Sequence, residues 1–161
     1  MRPEWIPFLV RFEDFASDFD LYEQALYGLF HGDFVATQPT YLSQLVRPIC
    51  DPRHRAKEWS FWHIITEAKH GNVPENDRDF RQDRCERIRW PRCLIERAPA
   101  TFKVWRVKER GVWRRVIWAE EVSFVVILVE RPDHFRLLTA YPVDRNHTRR
   151  RLEDQYRSSL I

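Results

Sequence analysis

The sequence has few glycines and no long apolar run, and both shortages narrow the class of protein. Only four of the 161 residues are glycine, and no serine-, glutamine- or glycine-rich tract occurs, which argues against disorder. No apolar run reaches the roughly 18 residues that a membrane span requires. The first residues, MRPEWIPFLVRFEDF, contain no apolar core that would mark the chain for export. We therefore expect a globular cytoplasmic protein that does not enter a membrane.

Cysteine is also scarce, and its spacing is unlike that of a metal site. Cys50, Cys85 and Cys93 are an odd number without a CxxC pair, which suits a reducing compartment better than a disulfide framework or a zinc site. The sequence also lacks the GxSxG and HExxH motifs and a glycine-rich phosphate loop. It therefore predicts neither a metal nor a cofactor.

Charge is nearly balanced in total but unevenly distributed. The chain has 27 Lys and Arg residues against 24 Asp and Glu residues, which leaves a formal charge of +3 at pH 7. Residues 13–33 are acidic, whereas residues 78–97 and 145–157 are strongly basic. The total charge does not by itself indicate a nucleic-acid-binding protein. The uneven distribution is typical of a protein with one anion-binding side.

Length and apolar spacing predict one domain over residues 1–161 that begins with helices. Apolar residues three and four positions apart predict a helix of about five turns that starts at Phe12 and ends at Gly32. The FWHIIT segment at residues 61–66 is short, aromatic and β-branched, which predicts a strand or an extended segment. The KHGNVPENDRD segment at residues 69–79 has the composition of a loop.

Capping residues predict three further helices. Asp79 is expected to cap a helix that runs to about Arg89, and Pro91 can start a second short helix. Asp144 is expected to cap a last helix, whose few apolar residues predict a thin contact with the body of the protein.

The segments between these helices predict strands. TFKVWRVKE and VWRRVIWAE, joined by Arg110 and Gly111, predict a hairpin. SFVVILVE is apolar on both faces and predicts a central strand, and HFRLLTAY predicts a strand that ends at Pro142. The element order predicts an α+β fold with N-terminal helices, a roughly four-stranded antiparallel sheet and a C-terminal helix.

A concentration of arginine makes the RCERIRWPR segment the first candidate for a functional site. Arg81, Arg84 and Arg87 recur every three residues, so a helix presents them on one face. Guanidinium groups suit phosphate because they offer paired donors and keep their charge. In this interpretation Glu86 holds Arg84 and Arg87 in place. The alternative is a solvated charged face that Asp83 and Glu86 partly neutralise.

Two histidines are candidates for proton transfer. His63 lies between large apolar neighbours, where a half-buried histidine bonded to a carbonyl is the alternative. His147 falls three residues into the last helix if Asp144 caps it. A position near a helix N-terminus favours the neutral imidazole that a general base requires.

Two hydroxyl-bearing side chains complete a possible acid and base set. Thr139 and Tyr141 share one face of the HFRLLTAY strand near its end, where a scaffold commonly presents working groups. Hydroxyls, histidines and arginines together can transfer protons at phosphorus without a metal. The alternative is that Tyr141 packs at the edge of the core and Thr139 is an ordinary strand residue.

Arg89, Trp90, Trp105 and Arg150 are further candidates for substrate binding. Trp90 and Trp105 lie in basic surroundings, where an indole can stack on a base, and packing in the core is the alternative. The chain turns after Trp90, so Arg89 and Trp90 are expected at the edge of the site. Arg150 lies in the basic stretch of the last helix.

Taken together, FWHIIT, RCERIRWPR, KVW and LLTAYPV with a downstream histidine resemble a widespread group of small bacterial and prophage-associated proteins. In that group FWH(I/V)T, RRCERIRWPR and TAYPV segments recur in this order, and the resemblance covers residues 8–156. The chain departs from the group at Cys93, where proline is usual, and in a longer polar loop after Ala68.

That group is in turn similar to the barnase, EndoU, colicin and RelE fold of ribonucleases and toxins. The resemblance implies that His63 matches the first motif histidine, Arg84 and Arg87 the motif arginines, and Thr139 and Tyr141 the hydroxyls at the sheet end. It implies a toxin-like endoribonuclease that cuts tRNA or mRNA without a metal, and an antitoxin or immunity protein as partner.

Two other functions remain open from the sequence. One is a module that binds nucleic acid or protein without catalysis, as in a phage-defence or toxin–antitoxin system. The other is transfer of a group from a nucleotide such as NAD, which also uses histidine, tyrosine and arginine.

Overall fold

The computed structural model describes residues 2–68 and 78–161, which form an α+β arrangement of five helices and eight strands. The loop predicted at residues 69–79 therefore lies mostly outside the described residues. The helices are α1 (Phe19–Phe30), α2 (Trp59–Ile65), α3 (Gln82–Glu86), α4 (Trp90–Arg97) and α5 (Asn146–Ser159). The strands are β1 (Thr40–Tyr41), β2 (Gln44–Pro48), β3 (Thr66–Ala68), β4 (Arg78–Phe80), β5 (Lys103–Glu109), β6 (Val112–Ala119), β7 (Phe124–Glu130) and β8 (Phe135–Pro142).

The main sheet has six strands in the order β1-β2-β8-β7-β6-β5, and β3 pairs with β4 separately. Strands β5 to β8 are antiparallel, as the sequence predicts, and Arg110 and Gly111 form the β5–β6 turn with positive φ. The prediction of a four-stranded antiparallel sheet was wrong, because β2 joins β8 in parallel and β1 joins β2. Strand β2 has one buried residue, Val46, so no apolar alternation marks it in the sequence.

The first predicted helix is interrupted and ends later than expected. A 3₁₀ turn at Phe12–Phe15 is followed by Ala16 and the next residue in left-handed conformation. The Asp18 carboxylate then accepts bonds from the backbone of the first turn of α1 and starts that helix. Gly32 does not end the helix, because a π-helical segment, His31–Ala36, continues it and buries Phe34.

The FWHIIT segment forms most of helix α2, so the prediction of an extended segment was wrong. Five of the six side chains of this segment are buried: Phe61, Trp62, Ile64, Ile65 and Thr66. A helix that is apolar on nearly every side shows no period of 3.6 residues, and a short apolar run of this kind has the same pattern as a buried strand.

Ser60 ties α2 to the main sheet. Its buried hydroxyl donates to the Leu137 carbonyl oxygen at 2.6 Å and accepts from the Ile49 backbone N–H at 2.7 Å. Ile49 follows β2 and Leu137 lies in β8, so one hydroxyl joins the helix to the two strands that pair in parallel.

The region around RCERIRWPR differs from its prediction in one helix and agrees in the next. Asp79 lies in β4 and caps no helix, and α3 starts after Arg81 without a side-chain cap. The expected helix to Arg89 is only five residues long, because the chain leaves helical geometry at Arg87. Helix α4 has Pro91 in its first turn, which confirms the predicted second helix.

Helices cover both faces of the main sheet. The larger apolar cluster lies between the sheet and helices α1, α2 and α4. The smaller cluster lies beneath α5 and consists of Trp105, Val116, Trp118, Val125, Val143 and Leu152. Leu152 is the one fully buried side chain of α5, in agreement with the predicted thin contact. Within residues 2–68 and 78–161, no helix has the length and apolar character needed to cross a membrane.

Candidate functional site

Helix α3, the end of β8 and the start of α5 enclose a cavity of about 250 Å³. It brings together four residues that the sequence predicted for the site: Arg81, Arg84, Tyr141 and His147. The other lining residues are Glu67, Asp83, Pro142, Asp144, Arg145, Thr148 and Arg151. Residues from three distant parts of the chain thus meet in one place.

Arg84 is the half-buried cation of this cavity, and backbone oxygens position it. Its Nη1 donates to the carbonyl oxygens of His63 at 3.1 Å and Thr66 at 2.7 Å. Both carbonyls belong to the C-terminal end of α2, where the helix dipole is negative. The expected bond from Glu86 is not formed between the described side chains, so the prediction that Glu86 holds Arg84 was wrong.

The environment of Arg84 leaves donors available. Burial lowers the pKa of its guanidinium below the ordinary value, although the Glu67 carboxylate opposes this shift. Arginine has five N–H donors, and the two carbonyl oxygens occupy only those of Nη1. No described side chain accepts from its Nε or Nη2. An anion in the cavity would meet a preorganised, partly desolvated donor group.

The carboxylates of the cavity are engaged by Arg81 and Arg145. Arg81 forms ion pairs with Glu67, with Asp83 at 3.2 Å and with Asp144 at 3.5 Å, and Arg145 lies 3.3 Å from Glu67. Burial opposes the charge of Arg81, but the three carboxylates outweigh it and raise its pKa. Asp144 is therefore a partner of Arg81 and not the cap of α5, which corrects the prediction from sequence.

Tyr141 and His147 supply groups that can exchange protons. The Tyr141 ring centroid lies 5.1 Å from Arg84 Cζ, and both residues line the cavity. His147 is exposed in the first turn of α5, close to the position that the sequence predicted. Thr139 lies behind this pair, where its hydroxyl donates to the His63 carbonyl oxygen at 3.3 Å.

His63 contributes its backbone to the site. Its ring stacks on Trp59, with centroids 3.5 Å apart and planes 23° apart, and does not line the cavity. Its carbonyl oxygen is the acceptor shared by Arg84 and Thr139. The two histidines of the sequence prediction therefore do not face each other across the cavity.

Arg87, Arg89 and Trp90 lie outside the cavity. Arg87 donates to the Asp83 carbonyl oxygen at 2.9 Å and lies over the Trp90 ring, and it makes no bond to Glu86. Trp90 is buried, and its indole donates to the Pro7 carbonyl oxygen at 3.1 Å, so it packs in the core. Arg89 is exposed beside Asp33 on another part of the surface.

Trp105 and Arg150 lie near the cavity on the side of α5. Trp105 is buried beneath this helix and donates to Gln155 Oε1 at 3.1 Å, which leaves it a packing residue. Arg150 is exposed on α5 and borders a groove that adjoins the cavity.

Sequence reasoning missed Arg145, Thr148, Arg151 and the acidic partner Glu67. Arg151 follows His147 by four residues, and this helical spacing places the two on one face. Arg145 belongs to the same basic stretch, so the sequence contained a signal for both arginines. No sequence pattern indicated Glu67, because only the tertiary structure brings β3 to the site.

The assembled groups can bind a phosphate, transfer protons at it and stabilise developing negative charge. In the described parts of the chain, no group of three or more His, Cys, Asp or Glu residues is placed to hold a metal ion. Comparison of the chain with protein-family models, curated proteins and solved structures found no match.

Proposed function

We propose that the protein is an endoribonuclease that cleaves RNA by general acid and base catalysis without a metal. One observation carries the proposal: the half-buried guanidinium of Arg84, with donors to spare, shares a cavity with Tyr141 and His147. A phosphodiester offers the anion for Arg84, and its neighbouring groups need the proton transfers that a tyrosine and a histidine can perform.

In the proposed reaction, the ribose 2′-oxygen attacks the adjacent phosphorus while the bond from phosphorus to the 5′-oxygen breaks. His147 accepts the proton of the 2′-hydroxyl, and the Tyr141 phenol donates a proton to the departing 5′-oxygen. The products are a 2′,3′-cyclic phosphate and a 5′-hydroxyl end.

In the proposed reaction, the arginines have different roles. Arg84 donates to the phosphate oxygens, on which negative charge grows in the transition state. Arg151 lies at the same cavity and, among the described residues, has no carboxylate partner, so it adds a second cation. Arg81 is matched by carboxylates and orders the rim instead. His63 and Thr139 act as positioning residues, because the His63 carbonyl holds Arg84 and the Thr139 hydroxyl bonds to that carbonyl.

Cleavage of RNA in EDTA tests the proposal. We expect the purified protein to cut total RNA and to leave 2′,3′-cyclic phosphate ends. We expect Arg84→Lys to lower the rate by about 10²-fold and His147→Ala by 10²-fold or more, on the order of measured losses of such groups. Tyr141→Phe removes the proton donor while keeping the ring and is expected to slow cleavage as well.

Arg131→Lys is the matched control. Arg131 is an exposed arginine in the turn before β8, at the opposite end of that strand from Tyr141, and its change should leave the rate unaltered. Intact RNA at high wild-type concentration, or equal cleavage by all variants, would overturn the proposal. RNA that is bound but not cut would favour a non-catalytic binding module instead.

A growth assay extends the proposal to the cell. We propose that expression of the wild-type chain arrests a bacterial host, as a toxin-like ribonuclease would, and that an inhibitor protein controls it. Arg84→Lys is expected to relieve the arrest, whereas Arg131→Lys is expected to retain it.

A further inference from the structure

A groove of about 670 Å³ adjoins the cavity on the surface of the protein. Helix α5 forms one side, and the β5–β6 hairpin at the edge of the main sheet forms the other. His147 and Arg151 line both the cavity and the groove. A chain molecule whose phosphate lies at Arg84 therefore has a continuous path along α5.

One face of α5 borders this groove along much of its length. Arg150, Arg151, Asp154 and Ser158 follow His147 at helical spacings of three, four, seven and eleven residues, and all five residues line the groove. At a rise of 1.5 Å per residue, this face is about 16 Å long. That length accommodates roughly four or five stacked nucleotides at about 3.4 Å each.

The groove carries unmatched positive charge. Lys108, Arg150 and Arg151 line it, and none of them is paired with a carboxylate among the residues that the structure describes. Arg106 is already matched, because its guanidinium bonds to both carboxylate oxygens of Glu130. Asp154 is the acidic residue of the lining, so the groove attracts an anionic ligand.

An exposed tryptophan, Trp113, lines the hairpin side of the groove. It pairs with Lys108, so its side chain lies on the sheet face opposite the smaller cluster, next to the edge strand β5. Trp113 is 38% exposed, so part of its indole is open to a ligand. The Arg106 guanidinium lies 3.9 Å from its ring centroid, and Lys108 Nζ lies 5.6 Å away. Arg106 therefore covers part of the ring. The exposed remainder of the indole offers an aromatic surface for a base, and Lys108 offers charge for the backbone, the two features that hold single-stranded nucleic acid.

We infer that this groove binds a single-stranded RNA segment that leads into the cavity, with one base stacked on Trp113. The inference rests on the proposed function for the identity of the nucleic acid. A paired helix does not fit the requirement, because its bases are already stacked on one another and not available to an indole.

Binding of an uncleavable strand tests the groove separately from catalysis. The probe is a fluorescein-labelled single-stranded 2′-O-methyl oligoribonucleotide, which lacks the attacking hydroxyl, and binding is measured by fluorescence anisotropy. We expect Trp113→Ala to weaken binding roughly tenfold, the scale of one base stacked on an aromatic ring. We expect Arg150→Gln to weaken it and to reduce the slope of log K against log salt by about one.

Phe8→Ala is the matched aromatic control, because Phe8 is 74% exposed and does not line the groove. It should bind like the wild type, and the same oligonucleotide annealed to its complement should bind more weakly than the single strand. Equal affinities of wild type, Trp113→Ala and Arg150→Gln, or a preference for the duplex, would overturn the inference.

The outcomes for the groove and for the proposed function can be told apart. If the strand binds through Trp113 but RNA is never cut, the groove is supported and the ribonuclease proposal fails. If RNA is cut and Trp113→Ala binds and cuts long strands like the wild type, the ribonuclease proposal is supported and the groove is refuted. If both hold, Trp113→Ala should lose more cleavage rate on long strands than on a dinucleotide.

Discussion

Glu58 shows how a single buried carboxylate is kept charged in this fold. It precedes α2, is almost fully buried, and accepts bonds from the Tyr27 hydroxyl at 2.7 Å and Arg53 Nη1 at 2.9 Å. Burial by itself raises the pKa of Glu58, but these bonds outweigh it and hold the pKa below the ordinary 4.5. Burial, together with the bond to Glu58, raises the pKa of Tyr27 to about 12.

The lowered pKa predicts a stability that depends on pH. Because the pKa of Glu58 is lower in the folded than in the unfolded chain, its ionised form stabilises the fold above about pH 4.5. This contribution is lost as the pH falls through the folded pKa. We expect Glu58→Gln to lower the free energy of unfolding by about 1–3 kcal/mol at pH 7, with a smaller loss in acid.

Urea unfolding of both chains at pH 7 and at about pH 3.5 measures this difference. The control is Glu121→Gln, since Glu121 is exposed in the turn after β6 and its loss should cost little at either pH. A loss that is the same at both pH values would contradict the assignment of a charged Glu58.

The residues of the site were predictable from the sequence only as chemical types. The RCERIRWPR segment indicates arginines that suit phosphate. Of these, the structure places Arg84 in the cavity and Arg89 elsewhere on the surface. The difference arises from the partners of Arg84, which are the carbonyl oxygens of His63 and Thr66. Every residue has a carbonyl, so no pattern of side chains can show which ones bind.

Among the elements, α5 carries several site residues but makes only a small apolar contact with the body of the protein. His147, Arg150 and Arg151 all lie on it, whereas Leu152 is its one fully buried side chain. Tyr156 adds a partly buried ring against Trp105. The position of a large share of the proposed RNA-binding surface thus depends on a small apolar contact.

We expect Leu152→Ala to cost about 2–5 kcal/mol, as for other large-to-small changes in a core, and to lower RNA binding and cleavage together. Stability is followed by urea unfolding and activity by the cleavage assay. Leu160→Ala is the control, because Leu160 follows α5 and is 68% exposed. Full activity in a destabilised Leu152→Ala protein would show that α5 does not position the site.

The strands that the sequence predicted well are those whose own residues display a strand pattern. Strands β5 and β6 flank the turn at Gly111, and β7 is apolar up to Glu130, so all three were found. Helix α2 was missed because tertiary burial on nearly every side removes its period. Strand β2 was missed because pairing with β8 stabilises it, and this pairing leaves no pattern in the residues of β2.

At the scale of the whole molecule, two apolar clusters share the same strands. Alternate residues of β6 point to opposite faces: Ile117 belongs to the larger cluster, whereas Val116 and Trp118 belong to the smaller. Loss of either face therefore disturbs the strands that support the other. One domain over residues 1–161 stays a prediction, and this sharing supports it.

We expect unfolding in urea to be a single cooperative transition. Tryptophan fluorescence reports on both clusters, since Trp62 and Trp90 lie in the larger and Trp105 and Trp118 in the smaller. Far-ultraviolet circular dichroism reports on the backbone. The two signals should give the same midpoint, and an earlier transition confined to the fluorescence signal would contradict a single cooperative unit.

The parallel pairing of β2 with β8 has a consequence for synthesis on the ribosome. Val46 pairs with Phe135, a residue about ninety positions later in the chain, and β8 is also the neighbour of β7. Until β8 has been synthesised, the edges of β2 and β7 that pair with it remain open. Pairings so distant in sequence form slowly, and open edges invite association with other chains. We therefore expect the nascent chain to be most prone to association before β8 has been synthesised.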